Sequence, residues 1–166
     1  MIKINQSRIE KILLDKSQWE VNGLDPDKGI LLMGNPGVGK TTVMEKFLQE
    51  EKRGHELSGR LINDEYERNG YADLEDRPSK FKYWSEHGIF IDDLGNEPKS
   101  VSHYGSADQP VTRLIEDRYR NKTAKDYYTT NLNEDLLTEH YGLRVVDRLF
   151  EKCNVIILEG ESYRRK

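Results

Sequence analysis

The sequence predicts an α/β protein of three layers, with helices on both faces of a mostly parallel sheet of five strands. Two observations predict it. Short apolar runs of strand length alternate along the chain with stretches whose apolar residues recur at helical spacing, the pattern of strand, crossover helix and next strand. The octapeptide Gly34-Asn35-Pro36-Gly37-Val38-Gly39-Lys40-Thr41 stands between one such run and one such helix, a complete phosphate-binding loop in the context that the loop requires. At 166 residues the chain can bury a core large enough for one domain.

The elements follow in order. Ile9, Ile12, Leu13 and Trp19 are spaced as a short amphipathic helix within residues 7–20, so residues 1–22 are expected to form a short N-terminal helical extension and residues 23–166 the core. Gly29-Ile30-Leu31-Leu32-Met33 is a buried strand, and a helix begins at Thr41 behind the loop. Gly59 to Asn63 is a weaker strand, followed by a charged segment over 64–80 with no clear period. Gly88-Ile89-Phe90-Ile91-Asp92-Asp93 is a short β-branched and aromatic strand that ends in two carboxylates. Gly95, Pro98, Gly105 and Pro110 then punctuate a loop of about 15 residues, long enough to be functional.

From Pro110 to Asn121, Val111, Leu114, Ile115 and Arg118 share one helical face. Tyr127 to Thr130 resumes a strand, and Asn133 caps a helix that Gly142 ends. Leu143, Val146, Leu149 and Phe150 mark a further helix before the last strand, Val155 to Leu158.

The chemistry is concentrated where strands end. In the phosphate-binding loop the glycines let backbone N–H groups converge, and the helix N-terminus behind them favours negative charge. Lys40 is expected to reach the β and γ phosphates of ATP, and the Thr41 hydroxyl to ligate the Mg2+ ion that bridges them; Thr42 continues the binding surface. Ligands of open parallel sheets bind outside the carboxyl ends of the strands. Asp92 therefore stands where a metal-holding acid belongs, and Asp93 beside it is a candidate base for the attacking water.

With these residues in place the chain resembles the AAA+ ATPases, and within them the DnaC/DnaI helicase loaders and the related IstB transposition ATPase. Gly34 to Thr41 match Walker A, Ile89 to Gly95 Walker B, Thr129-Thr130-Asn131-Leu132 sensor 1, and Tyr141 to Leu149 the box that carries the arginine finger. The match runs from about residue 23 to the end, where Gly160 to Arg164 resembles the ending of loaders that lack the helical lid. The resemblance implies an ATP-hydrolysing oligomeric switch acting in replication or transposition, on a replicative helicase or a transposase. It implies that Asn131 contacts the attacking water or γ-phosphate, that Arg148 enters a neighbouring subunit's site, and that Arg164 contacts phosphate as a sensor 2 arginine. Arg144 lies one helical turn from Arg148 and is the alternative finger.

Two departures stand out. Many AAA+ members have glutamate where this chain has Asp93, and the shorter side chain implies slow hydrolysis. Only 22 residues precede Gly23, whereas the loaders carry an N-terminal partner-binding domain; that half is expected to be missing, rudimentary or encoded elsewhere. The competing readings are a monomeric small-molecule kinase and a nucleotide-gated adaptor with little turnover. The kinase leaves Asn131 and the Arg148 box unexplained.

Composition narrows the partners. Net charge is −4 and the pI is near 5.7, so there is no global basic field for nucleic acid or an anionic membrane. Any DNA contact is expected to be local, with Lys52, Arg53, Lys80, Lys82, Arg118 and Arg120 as candidates. Tyr66, Tyr71, Tyr83 and Trp84 lie among carboxylates and are expected to pack rather than stack on bases. The histidines lack zinc-ligand spacing. The single cysteine, Cys153, precludes an internal disulfide, and no signal-peptide block or membrane-length apolar run occurs; together these point to the cytoplasm.

Overall fold

The computed structural model describes residues 1–51, 56–76, 88–120 and 125–163. Among these residues the main sheet has six strands, one more than expected, in the order β1-β8-β2-β7-β4-β3: β1 is Ile2–Asn5, β2 Gly29–Met33, β3 Glu56–Ser58, β4 Phe90–Asp92, β7 Tyr127–Thr130 and β8 Cys153–Glu159. Every neighbouring pair is parallel. The phosphate-binding loop thus leaves from β2, between β8 and β7 in the middle of the sheet.

The sheet is buried on both faces, which is why its strands read as unbroken apolar runs. In β2, Ile30 and Leu32 join one core with Ile9, Leu13, Trp19, Met44 and Phe47. Leu31 and Met33 point to the other, with Ile91, Tyr128, Ile115, Leu137, Val146 and Leu149. The first face is covered by helices α1 (Gln6–Leu14), α2 (Ser17–Val21) and α3 (Lys40–Glu50). The second is covered by α4 (Gly59–Asp76), α5 (Pro110–Arg120), α6 (Glu134–Tyr141) and α7 (Leu143–Lys152).

The structure corrects the reading of three stretches. Residues 1–22 are more than a helical extension: Ile2 to Asn5 pair with Ile156 to Glu159 as the edge of the sheet, and α1 packs on α3. Gly59 to Asn63 is the first turn of α4, not a strand, because Ile62 and Tyr66 are buried at helical spacing; the strand is the preceding Glu56–Ser58. The long loop after β4 contains an antiparallel hairpin of β5 (Val101–His103) and β6 (Ser106–Asp108).

Local signals act as expected around the remaining helices. Asn133 Oδ1 accepts the Leu136 N–H at 2.9 Å and caps α6. Gly142, with φ 86°, ends α6 and lets α7 start at the next residue. Beneath β2, β4 and β7 lies Asp126, fully buried, whose Oδ1 accepts from Arg118 Nε at 3.0 Å and whose Oδ2 accepts from Lys152 Nζ at 2.7 Å. Arg118 is therefore an internal counter-ion and not a surface contact for nucleic acid. Burial and the Asp126 charge push the Cys153 thiol well above the ordinary thiol range.

Candidate functional site

The site is built at the carboxyl ends of β2, β4 and β7, where the sheet exposes the residues that follow each strand. The loop 34–39 connects β2 to α3 through positive φ angles of 84° at Gly37 and 91° at Gly39. A side chain at either position is obstructed as well as strained: a Cβ on Gly37 would stand 2.2 Å from Ser162 Oγ, and one on Gly39 would stand 2.6 Å from Gln6 Oε1. Val38 is buried and anchors the loop to the core, while Asn35 and Pro36 are exposed.

Lys40 opens α3 and is only 5% exposed. Its ammonium donates to the carbonyls of Gly34 at 2.8 Å and Asn35 at 3.0 Å, and to Asn131 Oδ1 at 2.7 Å. A buried ammonium at the start of a helix suits an anion, because an ionised acceptor strengthens such bonds. Thr41 follows, and its hydroxyl donates to Asp92 Oδ1 at 2.9 Å. The same carboxylate oxygen accepts from Thr129 Oγ1 at 2.5 Å, and Thr129 Oγ1 in turn accepts the Asp93 N–H at 2.9 Å. Asn131 closes the circuit by donating from Nδ2 to Asp93 Oδ1 at 3.0 Å.

The loop lysine, the helix threonine, the two carboxylates after β4 and the asparagine after β7 thus form one continuous hydrogen-bonded chain. Asp93 sits in the left-handed region, φ 51°, a conformation that Asp tolerates better than most residues but that still carries strain of about 1 kcal/mol. That conformation aims its carboxylate at Asn131. A cleft of about 400 Å³ opens here, walled by Pro36, Gly37, Gly39, Lys40, Thr41, Thr42, Asp93 and Asn131, with Gln6 and Tyr163 completing its rim. The Tyr163 N–H donates to the Gly37 carbonyl at 3.0 Å, which ties the C-terminal segment to the loop.

The donor set suits a hard divalent cation. A hydroxyl and a carboxylate oxygen meet at Thr41 and Asp92, and Mg2+ is held by one or two such protein oxygens with water and phosphate. Among the described residues no three His, Cys, Asp or Glu side chains gather as an all-protein metal cage.

Arg148 is not part of this cluster. It lies on α7, 17% exposed, where Nη1 donates to Glu116 Oε1 at 2.6 Å and the guanidinium stands 5.0 Å from the centre of the Tyr119 ring. Arg144 meets the same Glu116 oxygen at 3.5 Å with 71% of its side chain exposed. Arg120 pairs with Asp117 at the surface. Arg164 and the candidates Lys52, Arg53, Lys80, Lys82, Tyr83 and Trp84 lie outside the described residues.

Several contributors were not singled out from the sequence. Thr129 was legible in principle, since it shares a strand face with Asn131 two residues on. Gln6 and Tyr163 reach the cleft from opposite ends of the chain, and no local pattern announces either.

Comparison with known proteins agrees with this architecture. Residues 30–138 match the model of the ATPase family associated with various cellular activities (AAA). No curated protein matches the chain in sequence. Among solved structures the chain is similar to the DnaC helicase loader, with TM-score 0.59 and 25% identity over 96% of this chain and 94% of that one. It is also similar to DnaI, with TM-score 0.58 and 20% identity over 95% and 85% of the two chains. A third likeness is to a primosome component from Streptococcus pyogenes serotype M3, TM-score 0.55 and 19% identity over 96% and 84%. With its phosphate loop, its paired carboxylates and a family match over most of its length, the chain belongs to the AAA family of ATPases, and its core is of the DnaC/DnaI helicase-loader kind.

Proposed function

We propose that this protein binds ATP with Mg2+ and hydrolyses it slowly, as an oligomeric switch that acts on a replicative helicase. The observation that carries the nucleotide half is the hydrogen-bonded chain from Lys40 through Asn131 and Asp93, and from Thr41 through Asp92 and Thr129. Backbone N–H groups of the loop and the α3 N-terminus receive the phosphates, and Lys40 exchanges carbonyl partners for phosphate oxygens. Thr41 and Asp92 would hold Mg2+, which would supply positive charge beside the phosphates. Asn131 orients the attacking water, and Asp93 accepts its proton. Tyr163 and Gln6 complete the rim of the cleft.

The cis site contains no arginine aimed at the γ-phosphate position among the described residues that wall the cleft. A neighbour's Arg148 supplies it in this reading, released from Glu116 when subunits assemble; Arg144, more exposed on the same helix, is the alternative donor. A trans arginine contributes roughly 10³ to 10⁵ in rate, so turnover depends on assembly. Likeness to the DnaC helicase loader over nearly the whole of both chains supports a helicase client over a transposase.

Calorimetry tests the site first. Lys40→Ala removes the buried cation and is expected to abolish ATP binding; unchanged affinity would refute the assignment.

A further inference from the structure

Glu97 is a buried carboxylate that this chemistry does not use. Glu97 lies four residues beyond Asp93, and its side chain is 1% exposed. Burying a charge so completely is costly unless several donors meet it, and here they come from two elements. Oε2 accepts the Gly95 N–H at 3.1 Å, within the turn that follows Asp93. Oε1 accepts the Tyr141 hydroxyl, at the last residue of α6. A third element makes room: a Cβ on Gly59, at the start of α4, would stand 2.1 Å from Oε2.

The same carboxylate faces a ring nitrogen that stands just out of hydrogen-bond reach. His140 Nε2 is buried without a hydrogen-bond partner, 3.6 Å from Glu97 Oε1 and beyond bonding distance. Tyr141 and His140 are adjacent, their rings 4.5 Å apart. Glu97 Oε1 thus stands between Tyr141, which it bonds, and His140 Nε2, just out of reach, so that a shift of under about 1 Å there would change its partners. One side of the contact is the turn holding Asp93, Leu94 and Gly95, itself fixed to β7 by the Leu94 N–H to the Thr129 carbonyl at 2.8 Å. The other side is the α6 end, one residue before Gly142 and the helix that presents Arg144 and Arg148.

We propose that Glu97 is a positioning residue that couples the Asp93 turn to the α6–α7 junction, so that the state of a subunit's own nucleotide site is passed to the arginines it offers its neighbour. The proposal rests on the nucleotide-binding reading above. It predicts that the side-chain contact, not merely the fold, carries the signal. Glu97→Gln keeps the shape and one acceptor, but its amide group turns N–H towards one of the two donors. Tyr141→Phe breaks the other half and leaves the carboxylate in place.

Hydrogen–deuterium exchange with and without ATP and Mg2+ reads both ends in the intact chain. In the wild type, ATP is expected to protect residues 34–42 and to change exchange over 141–149. In Glu97→Gln and in Tyr141→Phe the protection at 34–42 persists while the response at 141–149 falls by about threefold or more. Turnover is expected to fall about tenfold with KM for ATP moved by less than about twofold, a split that simple destabilisation does not produce. Absence of ATP protection at 34–42 in the wild type sinks the nucleotide reading and this proposal together. Protection at 34–42 with an unresponsive 141–149 in the wild type, or an undiminished response in both variants, overturns the coupling alone. A wild type that binds ATP but does not turn it over leaves the exchange result decisive.

Discussion

At the scale of single residues the proposed function gives different work to two adjacent carboxylates. Asp92 is occupied by two hydroxyls, from Thr41 and Thr129, and suits a metal; Asp93 faces Asn131 and suits a base. Asp93→Asn preserves shape and is expected to leave ATP affinity unchanged while lowering kcat by about 10² or more, measured by single-turnover hydrolysis beside equilibrium binding. A kcat within a few-fold of the wild type would return Asp93 to a turn residue. Cys153 makes an independent check at this scale. Burial favours the neutral thiol, so native protein at pH 8 is expected to react with a thiol reagent at least about 100-fold more slowly than unfolded protein. The sign for stability follows. The folded pKa lies above the unfolded one, so above the ordinary thiol range the unfolded chain loses a proton that the native chain keeps, and this contribution to stability is lost as pH rises.

At the scale of elements, the sheet and its helices hold the site through a few polar anchors among apolar contacts. Asp126 is the main one at the opposite end of the strands: its backbone carbonyl accepts the Ile30 N–H at 3.1 Å, and its side chain holds Arg118 of α5 and Lys152 of α7. Asp126→Asn removes the buried charge that meets both Arg118 and Lys152 and is expected to cost about 3 to 5 kcal/mol in denaturant unfolding. A loss below about 1 kcal/mol would mean that water reaches the pair. Much of this layer was legible. β2, β4 and β7 read as apolar runs because both their faces are buried, and α5 and α6 carried helical spacing or a capping asparagine. β1 was not, because its four residues alternate in burial and gain their meaning only from pairing with β8 at the far end of the chain. The hairpin β5–β6 escaped for a related reason: strands of three residues carry too little pattern to stand out from a punctuated loop.

At the scale of the molecule the proposed catalytic residues divide into two groups that the fold keeps apart. Lys40, Thr41, Asp92, Asp93 and Asn131 are expected from motif and strand-end position to share a site, and the structure joins them by hydrogen bonds. Arg148 is proposed from its resemblance to the family's box alone, and it sits against Glu116 and Tyr119 on the outer helices instead. No sequence pattern could state that separation, since it depends on how α5 and α7 pack. It is the arrangement expected of a site completed by a second copy of the chain, and that is the central claim. The most direct test is the ATPase rate per subunit as a function of protein concentration, repeated with increasing proportions of Arg148→Ala subunits. The account predicts a rate per subunit that climbs with concentration and falls on mixing by more than dilution explains. A rate per subunit independent of concentration and untouched by the variant beyond dilution would contradict it.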